Sequence, residues 1–98
     1  MNLNEASAKA YEIAVKRNQY KGDGKDTIRA LKHCAGEVVE ATEALAKESL
    51  SLNDFSDELA DIVICVLSVC GYNRIDVEGA IARKMLINEG RAQNDSKK

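Results

Sequence analysis

The stretch from Leu59 to Cys70 constrains the fold most, because it embeds an acid in the most apolar run of the chain. The run is too short and too interrupted to span a membrane, which takes about 20 apolar residues. A helix that is apolar around most of its circumference is normally buried. Asp61 lies within this one, and an isolated carboxylate taken out of water costs several kcal/mol unless it is compensated. We therefore expect either a solvent-facing stripe on this helix or a cation beside Asp61.

The composition favours an all-α fold with a single domain. The chain has 98 residues and no Pro, and it is rich in Ala, Leu, Glu and Lys, which are good helix formers. This length leaves no room for a second domain, so residues 1–98 are predicted to form one. A chain of this size exposes much of its apolar surface unless it assembles with copies of itself.

Four helices with short links are predicted, and together they indicate an antiparallel four-helix bundle. Apolar residues at helical spacing, and turn signals such as Gly22-Asp23-Gly24, set their limits. The expected helices are 5–19, 26 or 27 to 48, 54–70 and 77–92, with a frayed polar tail at 93–98. Gly71 is expected to end the third helix in a left-handed conformation. The expected N-terminal caps are Asn4, then Asp26 or Thr27, then Asn53 or Ser56, and finally Asp76.

Charge and cysteine usage disfavour several classes of protein. The formal net charge of −2 gives no general electrostatic case for binding nucleic acid. Cys34, Cys65 and Cys70 lack CxxC spacing and fall in apolar helical patterns, so we interpret them as core residues in a reducing cytosol. Residues 1–10 lack the apolar core of a signal peptide. We expect a cytoplasmic protein without membrane or nucleic-acid partners.

Two acid pairs carry the candidate chemistry. Glu37 and Glu40 lie three residues apart on the second helix, as do Glu58 and Asp61 on the third, so each pair shares a helix face. Consecutive helices of a bundle are usually neighbours, and four converging carboxylates would repel strongly. A divalent cation removes that repulsion, and an oxygen-only ligand set suits Mg²⁺ or Mn²⁺. The simpler alternative is that each pair belongs to a solvated helix face.

Two rival sites find little support in the sequence. A di-iron bundle normally needs Glu-x-x-His on two helices, and His33, the only histidine, belongs to no such motif. A P-loop needs Gly-x-x-x-x-Gly-Lys, which the chain lacks.

The fourth helix carries a polar stripe that suits phosphate oxygens. Lys84, Asn88 and Arg91 follow at i, i+4 and i+7, so two cations and an amide share one side of the helix. A solvated helix face explains the same pattern, and both interpretations stay open on the residues alone.

These motifs together resemble the MazG-like, all-α nucleoside triphosphate pyrophosphatase superfamily, which includes dimeric dUTPases, dCTP pyrophosphatases and phosphoribosyl-ATP pyrophosphohydrolase. Its signature is Glu-x-x-Glu, a variable spacer and Glu-x-x-Asp, here Glu37-Val38-Val39-Glu40 and Glu58-Leu59-Ala60-Asp61. The segment Lys84-Met85-Leu86-Ile87-Asn88-Glu89-Gly90-Arg91 resembles the Lys-Met-x-x-Asn-x-x-Arg element of the dCTP-pyrophosphatase-like branch. The match covers residues 27–91. Many MazG domains have an acid where this chain has Gly36, which leaves the subfamily open.

The resemblance implies an enzyme that hydrolyses a nucleoside triphosphate to the monophosphate and pyrophosphate, in a house-cleaning or nucleotide-pool role. A carboxylate of the first pair, Glu37 or Glu40, would accept the proton of the attacking water. The implied Mg²⁺ ligands are Glu37, Glu40, Glu58 and Asp61, and the implied triphosphate ligands are Lys84, Asn88 and Arg91.

The resemblance also implies a MazG-type homodimer or homotetramer with sites completed near subunit interfaces. The nucleotide base would lie against the first helix and the loop after it, where Tyr11, Asn18 and Tyr20 are candidate contacts. Two alternatives stay open. One is a non-catalytic helical interaction module that keeps the fold, and the other is a phosphoribosyl-ATP pyrophosphohydrolase-like activity that would share the metal site.

Overall fold

The computed structural model describes residues 1–47 and 50–96. These residues form four α-helices and no β-strand: α1 (Leu3–Lys16), α2 (Asp26–Ala46), α3 (Leu52–Tyr72) and α4 (Val77–Ser96). The predicted all-α class and the number of helices are therefore confirmed. Over the same residues, none of the helices combines the length and apolarity needed to cross a membrane.

Helix α3 is the element on which the other helices are arranged. Both α1 and α2 pack extensively against it. Ser7, near the start of α1, donates a hydrogen bond of 2.8 Å to the carbonyl of Leu67, near the end of α3, so these two helices run antiparallel. The start of α2 meets the end of α3 in the same way, because the Tyr72 hydroxyl donates to Asp26. The apolar run seen in the sequence therefore becomes the shared partner of two helices.

Helix α4 packs mainly against the start of α1. Asn4 donates to Asp76 Oδ1 at 2.8 Å, and the backbone N–H of Glu78 donates to Asn4 Oδ1 at 3.3 Å. Val77 is buried in the main core with Ala10 and Leu67. The Cα radius of gyration is 16.1 Å, against about 13 Å for a compact domain of this length. Within one chain, α4 is thus the least packed of the four helices.

The predicted caps of α1 and α3 are wrong, whereas that of α4 is confirmed. Helix α1 is capped by Asn2, whose Oδ1 accepts from the Glu5 N–H at 2.8 Å, rather than by Asn4. Helix α3 is capped by Ser51, which accepts from the Asp54 N–H, rather than by Asn53 or Ser56. Asp76 accepts from the Gly79 N–H at 3.0 Å, as predicted. Helices α1 and α3 therefore begin two residues earlier than expected.

The starts and ends of the remaining elements also need correction. Neither Asp26 nor Thr27 caps α2, because Asp26 is its first residue and Lys25 occupies the cap position. Helix α1 ends at Lys16 rather than near residue 19. Helix α4 extends to Ser96, so the tail predicted to fray from residue 93 is helical to that point. The predicted end of α2 at Glu48, and residues 97–98 of the tail, lie outside the described residues.

Gly71 serves packing, so the predicted left-handed helix end at this position is wrong. Helix α3 continues through it to Tyr72, and the left-handed residue in the following link is Arg74, with φ of 55°. A Cβ at position 71 would lie 2.6 Å from the Ser7 carbonyl oxygen and 2.8 Å from Tyr11 Cβ. Only glycine therefore lets α1 approach α3 this closely.

We expect Gly71→Ala to lower the free energy of unfolding by about 1–3 kcal/mol, because the added methyl group forces the α1 backbone away from α3. Gly90→Ala is the matched control. Gly90 is also helical but has no atom within 4 Å of the added Cβ, so its replacement should raise stability by about 0.5–1 kcal/mol. Urea unfolding measures both, and equal effects of the two changes would contradict the packing role of Gly71.

Candidate active site

Three of the four predicted metal ligands lie together. Oxygen atoms of Glu37, on α2, and of Glu58 and Asp61, on α3, all lie within 4.8 Å of one another. Glu37 and Glu58 are half-buried, whereas Asp61 is exposed. Asp61 therefore lies on a solvent-facing stripe of its helix, which was one of the two expectations for it. Its carboxylate also lies close to those of Glu37 and Glu58. We call these three residues the carboxylate cluster.

The antiparallel packing of α2 on α3 explains why the cluster forms. Asp26 and Tyr72 fix one end of the helix pair, and farther along it the thiols of Cys34 and Cys65 lie close to each other. Glu37 is one turn beyond Cys34, and Asp61 is one turn before Cys65 on the opposed helix. The next acid, Glu40, is exposed and stands outside the cluster among the described residues. The first pair therefore contributes one residue to the cluster.

The cluster opens onto a cavity of about 440 Å³. Glu37 and Asp61 line it on one side, and α1 and the loop after α1 line the other. Two of the predicted base contacts, Asn18 and Tyr20, are in this lining. Tyr11, the third, lies behind Tyr20 at 5.2 Å between ring centroids and is not among the described residues that line the cavity.

A buried carboxylate shapes the loop that lines the cavity. Asp26 is only 1% exposed and accepts hydrogen bonds from the N–H groups of Lys21 and Gly22, at 2.8 and 2.7 Å. Arg29 Nη1 also donates to it at 2.7 Å, and the Tyr72 hydroxyl at 3.3 Å. The Lys21 N–H lowers the pKa of Asp26 most, and the other donors add to this against the opposing effect of burial. The sequence suggested a helix cap here, whereas the side chain turns back to the preceding loop.

Tyr20 is held in the cavity wall by stacking and by a hydrogen bond. Its ring stacks on Tyr72 with centroids 4.7 Å apart, and its hydroxyl shares a 2.7 Å hydrogen bond with Ser68 Oγ. Burial raises the pKa of Tyr20, so its hydroxyl stays protonated at neutral pH. The ring therefore presents a fixed aromatic edge to whatever occupies the cavity.

Cations that the sequence did not single out also line the cavity. Arg17 and Lys21 flank Asn18 and Tyr20 in the chain, and both are exposed at the cavity wall. Arg29 lines it as well, but its guanidinium pairs with Asp23 and Asp26. Arg17 and Lys21 could have been found from their position between the end of the first helix and the glycine-rich loop.

The predicted phosphate ligands on α4 do not lie at this cavity within one chain. Lys84, Asn88 and Arg91 are exposed, and no described residue of α4 lines the cavity. Helix α4 contacts the start of α1, whereas the carboxylate cluster lies beside the end of α1. The structure therefore leaves the acids and the α4 stripe apart in a single protomer.

Comparison with known proteins adds no relative to these observations: no family model, curated protein or solved structure matches the chain. The resemblance to MazG-like enzymes therefore stays a prediction that rests on the motifs.

We expect Mg²⁺ to raise the melting temperature, because it relieves repulsion within the carboxylate cluster of the folded chain. At 100 times its dissociation constant, a bound ion adds about 2.7 kcal/mol of stability. Asp61→Asn should stabilise the metal-free fold and abolish the Mg²⁺ effect. Asp57→Asn is the control, since this exposed acid of α3 lies outside the cluster. A wild-type melting temperature insensitive to Mg²⁺ would exclude the metal centre.

Acid should destabilise the fold through Asp26. Its folded pKa lies below the ordinary value of about 4, so its stabilising effect is complete above that value and is lost as pH falls through the lower, folded pKa. Asp26→Asn should therefore unfold at lower urea concentration at neutral pH, with a weaker dependence on pH below 4. Asp95→Asn controls for loss of one exposed charge. Equal urea midpoints of Asp26→Asn and wild type at neutral pH would disprove the role of Asp26.

Proposed function

We propose that this chain is a Mg²⁺-dependent nucleoside triphosphate pyrophosphohydrolase of the cytoplasmic nucleotide pool, with Mn²⁺ as a substitute ion. The observation that carries the proposal is the carboxylate cluster of Glu37, Glu58 and Asp61 at the wall of the cavity. The donors of the cluster are carboxylate oxygens only, and such a set fits a hard divalent cation.

The cavity has the size and lining expected for a nucleotide. Ligand pockets commonly measure about 300–1,000 Å³, and the volume of about 440 Å³ lies within that range. Tyr20 offers an aromatic edge to a base, and the amide of Asn18 offers both a donor and an acceptor. Acids on one wall and the cations Arg17 and Lys21 on the other suit a ligand that is anionic and metal-bound at one end.

The acids divide naturally into two roles. Mg²⁺ in the cluster would supply positive charge to the phosphate oxygens and acidify water for attack at the α-phosphorus. Glu37, Glu58 and Asp61 would hold it. Glu40 lies outside the cluster, one turn beyond Glu37 on the same helix, and would accept the proton of the attacking water.

A second copy of the chain would supply the stripe of Lys84, Asn88 and Arg91. These residues project from a helix with little packing of its own, and they would stabilise charge on the departing pyrophosphate. Large apolar side chains stay exposed on α2 and α3, as expected of surfaces that meet another copy. They are Ile28, Leu31, Val38, Val39 and Leu45 on α2, and Leu52, Leu59, Val63, Ile64 and Val66 on α3.

We expect the chain to release pyrophosphate from at least one member of a panel of canonical and modified nucleoside triphosphates, in the presence of Mg²⁺. Asp61→Asn should lose both this activity and the Mg²⁺ effect on melting, because it removes a metal ligand. Glu40→Gln should lower kcat by about 10²–10⁴-fold and keep the melting effect, as expected for loss of a general base. Asp57→Asn should change neither.

Mixed assemblies test whether subunits share a site. If acids of one copy work with Lys84 of the other, then Asp61→Asn and Lys84→Ala chains should each be inactive alone. Their mixture should regain activity, because one of the two sites in the mixed dimer is intact. No gain on mixing would reject the sharing of a site between subunits, and with it the role of the α4 stripe at this cavity. Phosphoribosyl-ATP belongs on the same panel, and a chain that binds Mg²⁺ but cleaves no substrate would favour the non-catalytic interaction module.

A further inference from the structure

A second set of metal-binding atoms overlaps the carboxylate cluster but differs from it in chemistry. One ligand atom each of His33, Glu37 and Cys65 all lie within 4.8 Å of one another. His33 Nε2 lies 3.3 Å from Glu37 Oε1. The set combines an imidazole nitrogen, a carboxylate oxygen and a thiol sulfur, which hard Mg²⁺ does not favour and Zn²⁺ does.

The fold fixes these donors on two packed helices. His33 and Glu37 are one turn apart on α2, at the i, i+4 spacing that lets two side chains bind one ion. Cys65 faces them from α3 and lies close to Cys34 of α2. His33, Glu37 and Cys65 all line the cavity, so an ion has a path to them from solvent. The three donors are therefore held by two packed helices and can be reached from solvent through the cavity.

We propose that His33, Glu37 and Cys65 form a binding site for a borderline divalent transition metal, Zn²⁺ or Co²⁺. Two ligands of a tetrahedral zinc ion lie about 3.3–3.5 Å apart, since its bonds to N and O are about 2.0 Å and to S about 2.3 Å. The separation of His33 and Glu37 already has this value. The separations that involve Cys65 are at most 4.8 Å, so small rotations of the three side chains would bring them into the same range, and water would complete the fourth position.

The two metal sites are linked because both use Glu37. An ion held by His33 and Cys65 withdraws this carboxylate from Glu58 and Asp61. The transition metal and Mg²⁺ should therefore weaken each other's binding, a consequence that rests on the carboxylate cluster being a Mg²⁺ site. The His33–Glu37–Cys65 site itself does not depend on the proposed enzyme activity.

Titration of the purified chain with Co²⁺ tests the site without any nucleotide. A phosphine reductant keeps the cysteines reduced. We expect a thiolate-to-cobalt charge-transfer band in the near ultraviolet and intense visible bands of tetrahedral Co²⁺, both bleached by Zn²⁺. Cys65→Ser should abolish the charge-transfer band, and His33→Gln should weaken Co²⁺ binding at least about tenfold. Cys70→Ser, the matched control on the same helix, should bind as wild type does.

Circular dichroism confirms that each variant is folded before its titration is interpreted. Loss of the charge-transfer band in Cys70→Ser but not in Cys65→Ser would overturn the proposal, as would wild-type binding of Co²⁺ without any such band. Glu58→Gln separates the two sites, because it should lose the Mg²⁺ effect on melting and keep the cobalt spectrum. A folded chain that shows the spectrum but no pyrophosphohydrolase activity would support the transition-metal site and reject the proposed enzyme.

Discussion

The buried carboxylate of Asp26 is the interaction on which the arrangement of the cavity depends. It joins the loop before α2, the guanidinium of Arg29 and the end of α3, through Tyr72, at one point. A carboxylate removed from water is stable only with such donors around it, so the loop must close over it whenever the chain folds. This loop and the residues just before it carry the side chains on one wall of the cavity. The Asp26 carboxylate, which holds the loop in place, therefore determines where a ligand can lie.

The apolar helix α3 separates close helix packing from the ionisable groups of the cavity. Its end packs closely on α1 at Gly71, where there is room for no side chain. Around its middle, α1 and α2 leave the cavity between them, and there Asp61 and Cys65 face α2. One helix therefore combines a tightly packed end with an open middle that holds ionisable groups. This division explains how an acid resides in the most apolar segment without being buried.

The sequence predicted the four helices, and the approach of three of the four acids, because both follow from local patterns. Helical periodicity gave four helices, and i, i+3 spacing on neighbouring helices gave the meeting of Glu37 with Glu58 and Asp61. What it missed depends on contacts between distant segments. Gly71 resembles a helix end until Ser7 is placed against it, and Asp26 resembles a cap until the loop folds back. Cys65 joins His33 and Glu37 only when two helices align, so spacing within one segment could not reveal it.

The contact between the first turns of α1 and α4 determines how α4 is oriented. The N–H of Leu3 and the side chain of Asn4 meet Asp76 and Glu78, so the first turn of α1 sets the direction in which α4 leaves the core. The Asn4 side chain makes two of these hydrogen bonds, so its loss would loosen the hold of α1 on the helix that carries Lys84.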